Sequence, residues 1–254
     1  MEKTVIKAFN TLELLATSSE PQGVTALSQA LGLGKSNVHR MLATLVAAGY
    51  VRATGGGRYE ATLRMWEYGT HVLMRNDVKR VAGPLLQRLV KATGETAHLS
   101  VLDGREVVYV DKIDGDHPVR AYSRIGARAP AHAVATGKAL LAGQSASFIE
   151  SYAAELPPEG FTGKTIVTPV AFIKAMEEIR EKGVAYNTGE WREGVCGVAS
   201  PIRDSSGTVV AALGISGPAE RLKPAALRKY STVVIEAAAQ ASRALGFLQH
   251  AASR

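Results

Sequence analysis

One cysteine, Cys196, stands in 254 residues, and a lone thiol closes no internal disulfide. That fits a reducing compartment. Nowhere do apolar residues run to the roughly 18 needed to span a bilayer. The start, MEKTVIKAFNTLELLA, carries Glu2, Lys3, Lys7 and Glu13 where a secretory signal needs an unbroken apolar stretch. A cytoplasmic protein with no membrane partner is expected.

Catalytic and metal motifs are missing as well. The six histidines, at 39, 71, 98, 117, 132 and 250, form no H-E-x-x-H and no short-spaced ligand pair, and there is no G-x-S-x-G elbow. No catalytic residue, metal or cofactor is expected. Cys196 with His132 or His98 has the groups for a thiol nucleophile and its base. The competing reading makes Cys196 a small buried residue on a strand and His132 a residue at a helix start.

A nucleotide cradle is absent despite two Gly-Lys pairs. A P-loop needs G-x-x-x-x-G-K-[ST] between a strand and a helix. Five residues before Gly34-Lys35-Ser36 stands Gln29, inside a helical pattern; before Gly137-Lys138 stands His132, and Ala139 replaces the hydroxyl that binds Mg²⁺.

What is present looks like an ordinary globular protein, 46% hydrophobic and 21% charged, with a net charge of +7. The positive residues cluster. Between Lys35 and Arg64, the cations Lys35, Arg40, Arg52, Arg58 and Arg64 face one acid, Glu60. That excess suits a polyanion partner, or else forms a solvated basic face.

Val5, Ala8, Phe9, Leu12, Leu15 and Ala16 recur at helical spacing and predict a helix over 3–17. Thr25 reads as the N-cap of a short helix closed by Gly32. A second helix runs from Lys35 to Ala48, with Val38, Met41, Leu42, Leu45 and Val46 on one stripe. Its other faces carry Ser36, Asn37, His39, Arg40 and Thr44 among small alanines, which lets the backbone approach phosphates and base edges. Tyr50–Ala53 and Arg58–Ala61 read as strands around Thr54-Gly55-Gly56-Gly57. The sum is a winged helix-turn-helix, whose recognition helix begins at Lys35-Ser36, where free N–H groups favour an anion.

Residues 62–76 have helical spacing through Leu63, Trp66, Leu73 and Met74 and form a connector; a further helix follows over 77–93. The period then changes to two, with strands at 96–102 and 106–111 around Asp103-Gly104 and at 183–187, 197–203 and 208–216. Helices at 131–142, 145–154, 169–182 and 224–248 cover the sheet. This order predicts an α+β domain with an antiparallel sheet. The expected division is 1–61, a linker helix over 62–78, and 79–254.

Leu31-Gly32-Leu33-Gly34-Lys35-Ser36-Asn37-Val38-His39-Arg40-Met41-Leu42, Thr44-Leu45 and Gly49-Tyr50-Val51 resemble the isocitrate lyase regulator (IclR-type) family of bacterial transcription factors. So do Pro130-Ala131-His132-Ala133, Gly137-Lys138-Ala139-Leu140-Leu141-Ala142, Cys196-Gly197-Val198-Ala199-Ser200-Pro201-Ile202 and Ser216-Gly217-Pro218. The motifs come in the family's order and span nearly the whole chain. The resemblance implies a GAF-like effector-binding domain behind the winged helix, in a ligand-responsive regulator, repressor or activator, of a catabolic operon. It also implies a homo-oligomer, dimer or dimer of dimers, on a pseudo-palindromic double-stranded operator.

On that basis Lys35, Ser36 and Arg58 are candidates for phosphate contacts, and Asn37, His39, Arg40 and Thr44 for the groove. Transferred position by position, the effector site comprises Ala121, Ala135, Thr136, Asn187, Val195, Gly197, Gly214 and Ser216. The Thr136 and Ser216 hydroxyls, Asn187 and amides at a helix start suit a carboxylate. Glycines at 197 and 214 either enlarge the cavity, making room for a sugar acid or aromatic acid, or serve tight strands. The alternatives to a ligand-responsive regulator are a small-molecule enzyme with an appended DNA-binding domain and an architectural DNA binder with no effector.

Overall fold

The computed structural model describes residues 3–74, 77–121 and 123–248. Arg75 and Asn76 of the expected connector, and His250, lie outside that set, as do the side chains of His71, Leu73 and Met74. The chain divides into two compact units, one through Arg75 and one from Asn76.

The first unit opens with α1 (Lys3–Thr17), which buries Thr11, Leu12 and Leu15. Val5 and Phe9, on the expected apolar stripe, are exposed. Then come β1 (Gln22–Gly23), α2 (Val24–Leu31), α3 (Lys35–Ala47), β2 (Val51–Gly55), β3 (Arg58–Ala61) and α4 (Arg64–Met74). The two-residue β1 was not expected. It pairs with Tyr59 and Arg58 of β3, drawing Gly23 into the sheet and starting α2 at Val24. The N-cap is therefore Gly23, and Thr25 lies inside the helix. Gly32 ends α2 in the left-handed region at φ 62°, as expected of a helix stop.

In α3 the buried stripe is Val38, Met41, Leu42 and Leu45, packed with Leu12, Leu15, Leu27 and Val51. Val46, expected on that stripe, lies at its edge and is exposed. Arg64 also departs from expectation. Its guanidinium donates to the Ala48 carbonyl at 2.5 Å, its Nε donates to the Tyr68 hydroxyl, and it lies over the Tyr50 ring. A cation at the carbonyl end of a helix complements the dipole. Arg64 thus ties the end of α3 to α4 rather than adding to a free basic face.

In the second unit, α5 (Asp77–Thr93) precedes a six-stranded antiparallel sheet with the order β6-β5-β4-β9-β8-β7. Its strands are β4 (Thr96–Asp103), β5 (Glu106–Ile113), β6 (Arg128–Pro130), β7 (Ala185–Thr188), β8 (Val195–Arg203) and β9 (Val209–Pro218). α5 packs with α9 (Pro224–Ala244) and the sheet; α6 (Ala135–Ala142) packs on β4, β8 and β9, with α8 (Pro169–Lys182) and α7 (Ala146–Ala154) beyond it. Leu140, Leu141, Tyr152, Phe172, Met176, Ala199 and Ala212 share that core.

The helix expected over 131–142 is broken. Ala131–Ala133 form a 3₁₀ turn, Val134 is extended, and α6 starts at Ala135. α6 is buried all round, so it carries no amphipathic period to mark its start. Gly137 is needed there, because a Cβ would lie 2.2 Å from the Ala131 carbonyl oxygen.

Candidate functional site

On the first unit, Lys35, Ser36, Asn37, His39, Arg40 and Thr44 are all exposed on α3. Gly34 caps α3 with an extended backbone and no side-chain bond, while the Asn37 and Val38 amides close back on the Gly34 carbonyl. That leaves the Lys35 and Ser36 N–H groups at the open, positive end of the helix. Arg40 donates to the Asn37 carboxamide oxygen at 2.8 Å, and Thr44 donates to the Arg40 carbonyl, so these side chains form one ordered strip along the exposed side of α3.

The wing turns through Gly55, Gly56 and Gly57, all at positive φ, where residues with a Cβ are strained. Arg58 beside it is exposed and donates to the Pro21 carbonyl at 3.2 Å. The other wing cation, Arg52, is held by Glu60 across the hairpin at 2.5 Å.

In the second unit a cavity of about 60 Å³ opens where α6 begins, bounded by β4, β9 and the loop between β7 and β8. Ala121, Ala135, Thr136, Asn187, Val195, Gly197 and Ser216 line it, seven of the eight transferred positions. Gly214 is not among the lining residues. Its Cβ would lie 2.4 Å from the Val198 carbonyl oxygen, and one on Gly197 2.7 Å from the Ile215 carbonyl oxygen. Both glycines therefore allow close backbone approach between β8 and β9; Gly214 lies outside the cavity, while Gly197 forms part of its wall.

His98, Tyr109, Ser123, Val134, Trp191, Arg192 and Ile215 also line the cavity. β4 carried the available signal: Thr96, His98 and Ser100 alternate with Ala97 and Leu99, and all five are buried. A polar row on one face of a buried strand needs partners, and of the three His98 reaches the cavity wall. Arg192, on a loop, carried no such signal.

The donors and acceptors around the cavity are fixed by their partners. The Asn187 carboxamide oxygen accepts from the Gly189 and Glu190 N–H groups at 3.0 and 2.9 Å. Two N–H donors demand an acceptor, so the group Asn187 has left for a ligand is its NH₂. The same turn carries Glu190, whose carboxylate accepts from the Lys138 ammonium of α6 at 2.5 and 2.7 Å. Both side chains are buried. Burial pulls the Lys138 ammonium below its ordinary range, and the Glu190 charge works against that pull. Thr162 donates to the Gly189 carbonyl and Thr165 to that of Glu190. Gly137-Lys138 is thus a close approach followed by a buried ion pair that anchors the cavity loop.

Burial lowers His98 to about 4, helped by Lys112 and opposed by Asp114, so it is neutral at pH 7. His132 is held to about 4 by burial, Arg105 and Lys138, and shares a 3.3 Å hydrogen bond with the Tyr152 hydroxyl. Burial pushes the Cys196 thiol up, away from the thiolate a nucleophile requires. Among the described residues no group of three or more His, Cys, Asp or Glu could hold a metal ion, and no helix is long and apolar enough to cross a membrane.

A winged helix-turn-helix with an exposed polar strip on its second helix, in a chain whose second unit holds a mainly apolar cavity with a few polar side chains in its wall, defines a DNA-binding transcription regulator. Residues 4–55 match the IclR helix-turn-helix domain, and residues 70–243 match the family described as bacterial transcriptional regulator IclR C-terminal. The chain belongs to the IclR family. It is 34% identical to the HTH-type transcriptional regulator KdgR of Escherichia coli K12 over 245 residues, covering 96% of this chain and 93% of the relative. It is 34% identical to XynR of the same organism over 246 residues, 96% of this chain and 98% of that one. Among solved structures it resembles the Thermotoga maritima IclR, with a TM-score of 0.81 at 31% identity over 97% of this chain and 100% of that one. A second is an IclR homologue from Microbacterium hydrocarbonoxydans complexed with 4-hydroxybenzoate. Its TM-score is 0.82 at 25% identity, over 95% of this chain and 98% of that one.

Proposed function

We propose that this regulator is a homodimer that places two α3 helices in successive major grooves of a pseudo-palindromic operator and releases or repositions them when a small organic acid enters the α6 cavity. The observation that carries the reading is the cavity itself: Asn187, whose oxygen is already bonded, and Arg192 are among its lining residues, and with the amides at the start of α6 they supply donors suited to a carboxylate. Sugar acids and aromatic acids are the candidate classes. The complex of a relative with 4-hydroxybenzoate supports the aromatic class.

Lys35, Ser36 and Arg58 contact phosphates; Asn37, His39, Arg40 and Thr44 face the groove. The segment 62–78 passes the effector's signal between domains. The protein works in the cytoplasm and turns over no substrate, in keeping with the raised Cys196 thiol. Selection of bound fragments from the source genome, followed by a thermal-shift screen of small carboxylates, sugar acids and aromatic acids, tests this. A defined operator and a stabilising acid are expected. No specific DNA binding at moderate salt overturns the reading, and specific binding with no stabilising acid reduces it to an effector-free architectural role.

A further inference from the structure

His98, which no motif marks, sits between two serine hydroxyls at the cavity wall. Its Nε2 lies 2.6 Å from the Ser216 Oγ and its Nδ1 3.3 Å from the Ser123 Oγ. The Ser123 backbone is itself pinned, since the Lys112 ammonium donates to its carbonyl at 2.7 Å. Among the described residues neither hydroxyl has another hydrogen-bond partner. All three side chains line the cavity.

A neutral imidazole has one N–H and one lone pair, so the two contacts must run in one direction. If Ser216 donates to Nε2, its hydroxyl hydrogen is spent on the ring and only lone pairs face the cavity. If Ser123 donates to Nδ1, then Nε2–H donates to Ser216, whose own hydrogen is left for a ligand. The rest of the wall selects between these. Asn187 offers NH₂ because its oxygen is taken by two backbone amides, and Arg192 is a donor only. A ligand that satisfies those groups brings acceptor oxygens, and an acceptor beside Ser216 needs a hydroxyl hydrogen there.

Resting on the effector reading above, we infer that His98 is a positioning residue. It holds the Nε2–H tautomer through Ser123, turns the Ser216 hydroxyl into a donor, and thereby makes the cavity specific for an oxyanion or carbonyl oxygen over a donor group. Position 98 is then a specificity determinant that acts through Ser216 without touching the ligand's charge.

The test has two arms. NMR of the full chain with ring-¹⁵N histidine, the His98 signals assigned by their loss in His98→Gln, reads the tautomer without any ligand. A protonated Nε2 and a bare Nδ1 are expected, shifting toward a mixture in Ser123→Ala; a protonated Nδ1 overturns the inference. In the second arm, calorimetry with 4-hydroxybenzoate and pyruvate as probes compares wild type, Ser216→Ala, His98→Leu and His98→Gln. Loss of a hydrogen bond to a charged ligand group predicts about a ten- to hundredfold weaker affinity in Ser216→Ala and His98→Leu. His98→Gln, whose carboxamide NH₂ replaces the Nε2 donor, recovers most of it. Equal loss in His98→Gln and His98→Leu overturns the relay. If neither probe binds the wild type, the effector reading is left to the thermal-shift screen, and the tautomer decides the relay on its own.

Discussion

Substitution of Lys138 by methionine isolates the contact that holds the cavity loop. The Lys138 and Glu190 side chains are 6% and 8% exposed, and their charged atoms lie 2.5 Å apart. Without the ammonium, the Glu190 carboxylate has no other side-chain partner among the described residues, while Thr162, Thr165 and the Asn187 turn hold its backbone in place. An uncompensated buried charge costs about 3–5 kcal/mol. A unit of this size shifts its midpoint by roughly 2–4 °C per kcal/mol, so the expected fall is about 6–20 °C. The desolvation cost of the pair itself is large, so Lys138→Met combined with Glu190→Leu should regain most of that loss. Thermal and urea unfolding of wild type, both single variants and the double variant form a closed cycle. A cost under about 1 kcal/mol for Lys138→Met would refute the reasoning, because it would mean that water reaches Glu190 and the pair does not anchor the loop.

Asn187→Asp keeps an acceptor for the Gly189 and Glu190 amides and replaces the NH₂ with a negative oxygen. Because Asn187 is buried beside Glu190, stability should fall, as read by thermal unfolding, and affinity for an acid should fall by about tenfold or more, as read by calorimetry. For pH, His98 and His132 both titrate near 4 when folded and near 6.5 when unfolded. The unfolded chain therefore takes up protons first, and stability falls as pH drops from about 6.5 to 4, by up to about 1.4 kcal/mol per pH unit for each histidine. Denaturation midpoints across that range check this, and a flat profile would contradict it. Lys35→Ala should weaken binding to all DNA sequences alike and reduce the salt slope by about one.

The elements most legible in the sequence were those with an unbroken period. In α3, Val38, Met41, Leu42 and Leu45 mark a buried stripe that the fold reproduces, and the glycine tip marks the wing. Elements defined by long-range pairing were not legible. β1 has two residues and exists only because Tyr59 and Arg58 lie opposite. β6 is three residues ending in a proline, paired to β5. The start of α6 was missed because every one of its residues is buried, which erases the difference between faces. At the cavity, the positions named in advance came from the family resemblance. His98 and Ser216 stand 118 residues apart, and only the pairing of β4 with β9 brings them together.

The proposed function requires the α6 cavity and the α3 surface to be thermodynamically coupled. The most direct measurement determines the operator's dissociation constant with and without a saturating acid, and the acid's with and without saturating operator. Linkage requires the two ratios to be equal, with a factor of about 5–150 typical of such coupling. Equal ratios well away from one are the predicted result. An acid that binds the cavity while leaving operator affinity unchanged would contradict the account.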